Sequence, residues 1–155
     1  MSEPLAYFLT WTTYGTWLHG DVRGSVDRHN ACPGIDYHEP RPAWEAASRD
    51  RMDSAPVILS PRARALVDQA IRQHADFRGW GVLAMNCRSN HVHAVLTAGG
   101  VAPKRVMTEL KAYATRALRQ AGEAVPQKTW TRHGSTRYVW TEASLQAAIR
   151  YVEEQ

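Results

Sequence analysis

The chain has 155 residues, 44% of them hydrophobic and 22% charged, which is enough for one domain with a single core and too little for a second of ordinary size. Its formal charge is +4, and sixteen of its nineteen basic residues are Arg, whose planar fork matches phosphate oxygens, so the surplus points to nucleic acid and away from a membrane surface. Cys32 and Cys87 stand far apart with no CxxC, and the start Met1-Ser2-Glu3-Pro4 lacks a basic n-region and apolar core; neither a zinc ribbon nor a disulfide framework nor a secretory signal is expected, and a cytoplasmic protein with reduced thiols is.

Tyr7 to Tyr14, dense in aromatic and β-branched residues, predicts a strand bounded by Gly15. From Gly15 to about Pro56 the pattern is broken by Gly20, Gly24, Pro33, Gly34, Pro40 and Pro42, which predicts a long loop; within it Asp21 to His29, including Arg28, combines pliable backbone with phosphate donors. Ser60-Pro61 is an N-cap followed by proline at the first helical position, and the apolar recurrence from Ala63 to Ala75 predicts an amphipathic helix ending near Gly79. Trp80 to Cys87 predicts a second strand, and Arg88-Ser89-Asn90 a short turn into a third.

Pro103 to Ala121 predicts the next helix, stopped by Gly122, with Val106, Leu110, Ala114, Ala117, Leu118 and Ala121 on one apolar arc. Tyr113 falls on the edge of that arc, and Glu109, Arg116, Gln120 and Arg105 on the polar flank beside it. A polar loop leads to a short strand over Arg137 to Trp140. Thr141 or Glu142 then opens a terminal helix with Leu145, Ala148, Ile149 and Val152 as its apolar face. The order β, loop, α, β, β, α, β, α suits an α+β domain in which helices cover an antiparallel sheet.

The most informative motif is His91-Val92-His93 in the third strand, because side chains at i and i+2 share a face about 7 Å apart along the pleat. Two imidazoles so placed can hold a divalent ion with positions left open for phosphate oxygens and water. No G-x-S-x-G, HExxH or P-loop supplies a nucleophile. Tyr113, on a helix reached directly from the histidine strand and flanked by Lys111 and Arg116, is the candidate; attack by its phenol on a phosphodiester would give a phosphotyrosine that keeps the bond energy for rejoining. Alternatively its ring is a boundary residue, packed inward with its hydroxyl in water.

The runs YFLTWTTYGTWLHG, NHVHAVL, ELKAYATRALR, HGSTRYVW and RYVEEQ, in this order, resemble the REP-associated tyrosine transposases and the insertion-sequence HUH transposases. The resemblance implies a ferredoxin-like HUH fold and cleavage of single-stranded DNA beside a hairpin, with Mg²⁺ or Mn²⁺ as cofactor, leaving a 5′-phosphotyrosine and a free 3′-hydroxyl. Carried over, His91 and His93 become metal ligands and Tyr113 the nucleophile. Family members commonly add a third polar ligand about one turn past the tyrosine; that position here is Ala117, leaving Glu109 and Gln120 as substitutes on the same flank. Arg116, Lys111, Arg105, Arg88, Asn90, Arg28 and Arg132 are the candidate DNA contacts, with Trp17 or Trp130 as surfaces on which bases stack. Single-stranded or hairpin DNA and a homodimer partner are expected; a retired hairpin-binding module is the alternative that Ala117 suggests.

Overall fold

Pleating along β1 (Ala6–Thr12) sends Tyr7, Leu9 and Trp11 to one face of a sheet and Phe8, Thr10 and Thr12 to the other. The computed structural model describes residues 3–15 and 56–155. The expected loop between Gly15 and Pro56, and with it Arg28 and Trp17, falls almost wholly outside the described residues.

After β1 come α1 (Pro61–Arg78), β2 (Gly81–Cys87), β3 (His91–Thr97), α2 (Pro103–Gln120), β4 (Ser135–Val139) and α3 (Glu142–Glu153). The four strands are ordered β2-β3-β1-β4, and every neighbouring pair is antiparallel. This is the α+β architecture that the sequence implies. Strand boundaries differ from expectation by one or two residues, most at the end of β1 and the start of β4. β1 ends at Thr12 because Thr13 and Tyr14 leave the ladder, Thr13 forming an isolated bridge with Trp130. β4 begins at Ser135, two residues early, because Ser135 and Thr136 pair with Thr10 and Leu9.

Local chemistry explains where α1 begins and ends. Ser60 Oγ accepts the Ala63 amide at 3.1 Å and Pro61 takes the first helical position, while Gly79 closes the far end at φ 76, where a side chain would be strained. Its buried stripe of Ala63, Val67, Ala70, Ile71 and Ala75 packs against Val106, Leu110, Ala114 and Leu118 of α2. Both helices cover the sheet face that carries Leu9, Trp11, Val92, Ala94 and Leu96.

The opposite face has a smaller core. Ala6, Ala84, Val95 and Val139 meet only Ala148 and Val152 of α3, with Phe8, Leu145 and Ile149 at the margin. That helix packs over β2 and β3. Since Val95 belongs to this cluster while Val92, Ala94 and Leu96 belong to the other, His91 and His93 stand on the α3 face.

Candidate active site

β1 and β3 together fix the two imidazoles. Thr10 lies opposite His93 and Thr12 opposite His91 in the antiparallel register. The Thr10 hydroxyl is 2.8 Å from His93 Nδ1, and Asn90 Oδ1 accepts from His91 Nδ1 at 2.7 Å. A proton on Nδ1 leaves the lone pair on Nε2, the arrangement a metal-ligating histidine needs. The rings are 4.6 Å apart at 70°. Burial, reinforced by the neighbouring His91, pushes the His93 pKa down to about 4, so this imidazole is neutral near pH 7.

α3 supplies a phenol to the same place. The Tyr151 ring is 5.5 Å from His93 and 6.0 Å from Phe8, and about half of the residue is exposed. Its orientation is set by Val152, fully buried beneath the helix, and by anchors from β2. Asn86 Nδ2 donates to the Val152 and Gln155 carbonyls at 3.1 and 3.2 Å, and Arg88 Nη1 donates to the Gln155 carbonyl at 2.9 Å. These donors satisfy carbonyls at the helix C-terminus that the helix itself leaves unpaired. Gln155 follows Tyr151 by four residues and lies just past the end of α3, where Asn86 and Arg88 hold its backbone.

Gly134 lets the chain entering β4 pass close to β1 and to α2. A Cβ there would sit 2.6 Å from the Thr10 carbonyl oxygen and 2.9 Å from the Met107 side chain, so only glycine allows the approach.

The residues expected from the sequence divide between the two faces. His91, His93, Asn90 and Arg88 gather at the α3 face; Arg88 serves as a helix anchor and Asn90 as a partner of His91. Tyr113 does not join them within the chain. Its ring stacks on His74 of α1 at 3.9 Å and 16°, on the far side of the sheet. The reason is that α2 must bury Val106, Leu110, Ala114 and Leu118 against the apolar face of β3, which turns all of α2 away from the histidines. Ala117 goes with it.

Glu109 and Gln120 are likewise removed from the pair. Glu109 accepts from His74 Nε2 at 2.8 Å and faces Arg105 and Arg78 at 3.2 and 3.3 Å, and these partners hold its carboxyl below the usual carboxylate range, the His74 hydrogen bond most of all. Gln120 and Arg116 line a cleft of about 360 Å³ with His74, Phe77 and Tyr113.

Lys111 donates to the Thr131 and His133 carbonyls at 2.9 Å each, stapling the loop before β4 to α2, and burial pushes its pKa down to about 8. Trp130 is half-buried against Trp11, its Nε1 donating to Thr115 and Lys111, which leaves little of the indole for a base. Arg132 is exposed in the loop before β4, and Cys87 is a thiol pushed up to about 12 by burial.

Sequence reasoning missed Tyr151, Gln155 and Thr10. The signal was present in RYVEEQ, a tyrosine followed four residues later by a side-chain amide. Among the described residues no group of three or more His, Cys, Asp or Glu side chains is placed to hold a metal, so a third protein ligand beside His91 and His93 would have to come from another residue type.

A four-stranded antiparallel sheet with an imidazole pair on one face and a helix tyrosine beside it defines the class: an α+β domain built like the transposase folds. The family model described as IS200-like transposase matches residues 55–155, and the chain belongs to that family. A REP-associated tyrosine transposase bound to a REP hairpin superposes with a TM-score of 0.57 at 11% identity, over 97% of this chain and 66% of that one. This chain therefore spans slightly less than two thirds of that protein. A Deinococcus radiodurans R1 protein assigned provisionally to the transposases superposes with a TM-score of 0.55 at 16% identity, over 100% and 93%. At these identities the likeness concerns the fold. No curated protein matches the sequence. Among the described residues no helix is long and apolar enough to cross a membrane.

Proposed function

We propose that the protein is a metal-dependent single-strand DNA endonuclease and strand transferase with Tyr151 as nucleophile, in place of Tyr113. The observation that carries this reading is the meeting of Tyr151 and His93 at 5.5 Å on the sheet face that also holds His91. Both belong to one chain, so the reading needs no second copy. The IS200-like family and the hairpin held by the related structure support single-stranded DNA beside a hairpin as substrate.

The residues present suit a divalent ion. His93 is neutral and oriented by Thr10, His91 is oriented by Asn90, and Gln155, four residues after Tyr151 and just past the helix end, is the candidate third ligand. Mg²⁺ or Mn²⁺, when bound, would neutralise charge growing on the phosphate. Tyr151 Oη attacks phosphorus and gives up its proton to solvent; the bond from phosphorus to the 3′ oxygen breaks, and that oxygen takes up a proton to leave as a 3′-hydroxyl. The 5′ side stays esterified to Tyr151. Attack by another 3′-hydroxyl reverses the step and joins the strands. In this reading Ala117, on the far helix, is not the third-ligand position, and a retired binding module would be recognised by DNA binding without any adduct.

The test uses hairpin-bearing oligonucleotides with Mn²⁺ and a denaturing gel. The unsubstituted protein and Tyr113→Phe are expected to form a covalent adduct at similar rates, and Tyr151→Phe to form none. An adduct that survives Tyr151→Phe and disappears in Tyr113→Phe would restore the other helix as the source of the nucleophile.

A further inference from the structure

α3 packs chiefly on β2 and β3, and from β1 and β4 on the same sheet face its buried cluster takes Ala6 and Val139, with Phe8 at the margin. The residues there follow from register. Thr12, Thr10 and Phe8 face outward on β1; on β4 Ser135 lies opposite Thr10, and Arg137 opposite Phe8. Val139, two residues after Arg137, is buried in the α3-side cluster, which fixes Arg137 on the same face as the histidine pair. Residues paired directly across antiparallel strands have Cβ atoms about 5 Å apart, so Arg137 rises beside Phe8, whose ring contacts both Tyr151 and His93.

The contrast with the other arginines near the sheet is chemical. Arg88 is committed to the Gln155 carbonyl, Arg78 and Arg105 to Glu109, and Arg62 to Glu123. Arg137 is exposed, and among the described residues its cross-strand neighbour is Phe8 and the residues two away along β4 are Ser135 and Val139, none of them a carboxylate. An aromatic ring, hydroxyls and an exposed guanidinium in one row, leading to a nucleophile, match the chemistry of a single strand, with planar bases and a phosphate at every step.

From this juxtaposition we infer that the β1 and β4 half of the α3 face is the track along which single-stranded DNA reaches Tyr151, with Arg137 binding a backbone phosphate beside the scissile one. The inference rests on the proposed function for the identity of the substrate and adds the path and the residue that holds it. Arg137 acts on binding and placement; the bond changes remain with Tyr151.

The experiment measures binding of a fluorescent single-stranded oligonucleotide by anisotropy across a salt series, with EDTA present so that no cleavage occurs. Arg137→Ala is expected to weaken binding about tenfold and to make the slope of log K against log salt shallower by about 0.7, the loss of one phosphate contact on a single strand. Arg137→Lys should retain the slope. Arg72→Ala, which removes an equal charge from an Asp68 pair on α1, should leave both quantities within twofold. With Mn²⁺, Arg137→Ala should raise KM for adduct formation more than it lowers the rate at saturating DNA.

An unchanged slope in Arg137→Ala, or an equal change in Arg72→Ala, would overturn the track while leaving Tyr151 in place. Failure of the unsubstituted protein to bind single-stranded DNA would overturn both readings.

Discussion

On the α1 and α2 face Tyr113 lies flat on His74, 3.9 Å away at 16°, whereas on the α3 face Tyr151 meets His93 edge-on at 5.5 Å and 76°. Both histidines are buried, at 6% exposure each, but their ring nitrogens are used differently. His74 gives Nε2 to the Glu109 carboxylate, which is in turn held by Arg78 and Arg105. His93 gives Nδ1 to Thr10 on the adjacent strand, an arrangement that orients the ring and keeps Nε2 for an incoming ligand. A tyrosine beside a histidine thus becomes a packing element where the protein closes the ring's outer nitrogen, and a candidate reaction centre where a strand hydroxyl holds the inner one.

The strongest way to break that comparison is to exchange the losses. His93→Ala is expected to lower Mn²⁺-dependent adduct formation by at least about 100-fold, because loss of even a supporting partner of a metal ligand typically costs about 10–100-fold. His74→Ala should leave adduct formation near the unsubstituted level. Its expected cost lies in stability, about 2 kcal/mol from the lost ring stack and the bond to Glu109, read from the urea midpoint. If His74→Ala abolishes the adduct in a folded protein, the assignment of chemistry to the α3 face is wrong.

A smaller effect sharpens the role of the anchoring hydroxyl. Thr10→Val keeps the shape of the β1 side chain and removes the partner of His93 Nδ1. Mn²⁺ affinity, followed by electron paramagnetic resonance of the free ion, should fall about tenfold. Unchanged affinity would mean that the ring is oriented by packing against Phe8 and Tyr151 alone.

Why the sequence led to the histidines and not to their tyrosine has a physical answer. Alternation within a strand is a local property, so His91 and His93 share a face whatever the rest of the chain does. The same holds for α1 and α2, whose stripes and end signals lie within their own residues: Ser60-Pro61 and Gly79 for α1, the Val106 to Leu118 arc for α2. Which side of the sheet a helix covers is a global property. α2 follows β3 along the chain, and that adjacency suggested a neighbour for the histidines. The deciding quantity was the amount of apolar surface on each face. Val92, Ala94 and Leu96 demand the broad stripes of α1 and α2, whereas the face bearing two imidazoles offers little more than Val95 and suits the narrow Ala148 and Val152 stripe of α3. Nor does sequence distinguish a cation spent on structure from one left for DNA. Lys111 staples a loop and Arg88 caps a helix, whereas Arg137, passed over in the sequence, is exposed on the strand beside Phe8.

The smallest expected effect belongs to the helix face and concerns acid. His74 and then Arg105 and Arg78 hold the Glu109 carboxyl below the usual carboxylate range, so the unfolded chain binds this proton more readily than the folded one. The contribution is complete above the ordinary carboxylate pKa and is lost as pH falls through the lower folded value. Partly exposed pairs of this kind are worth less than about 1 kcal/mol each and weaken as salt rises. Urea midpoints measured from pH 6 to pH 3 should therefore fall less steeply in Glu109→Gln than in the unsubstituted protein, and the difference should shrink in 0.5 M salt, a condition of about one third the Debye length at 0.05 M. Adduct formation by Glu109→Gln at neutral pH should match the unsubstituted protein, since its carboxylate serves the stacked pair and lies across the sheet from Tyr151. An acid limb that persists unaltered in Glu109→Gln would place the pH-sensitive stability elsewhere and leave His74 held by its stack on Tyr113.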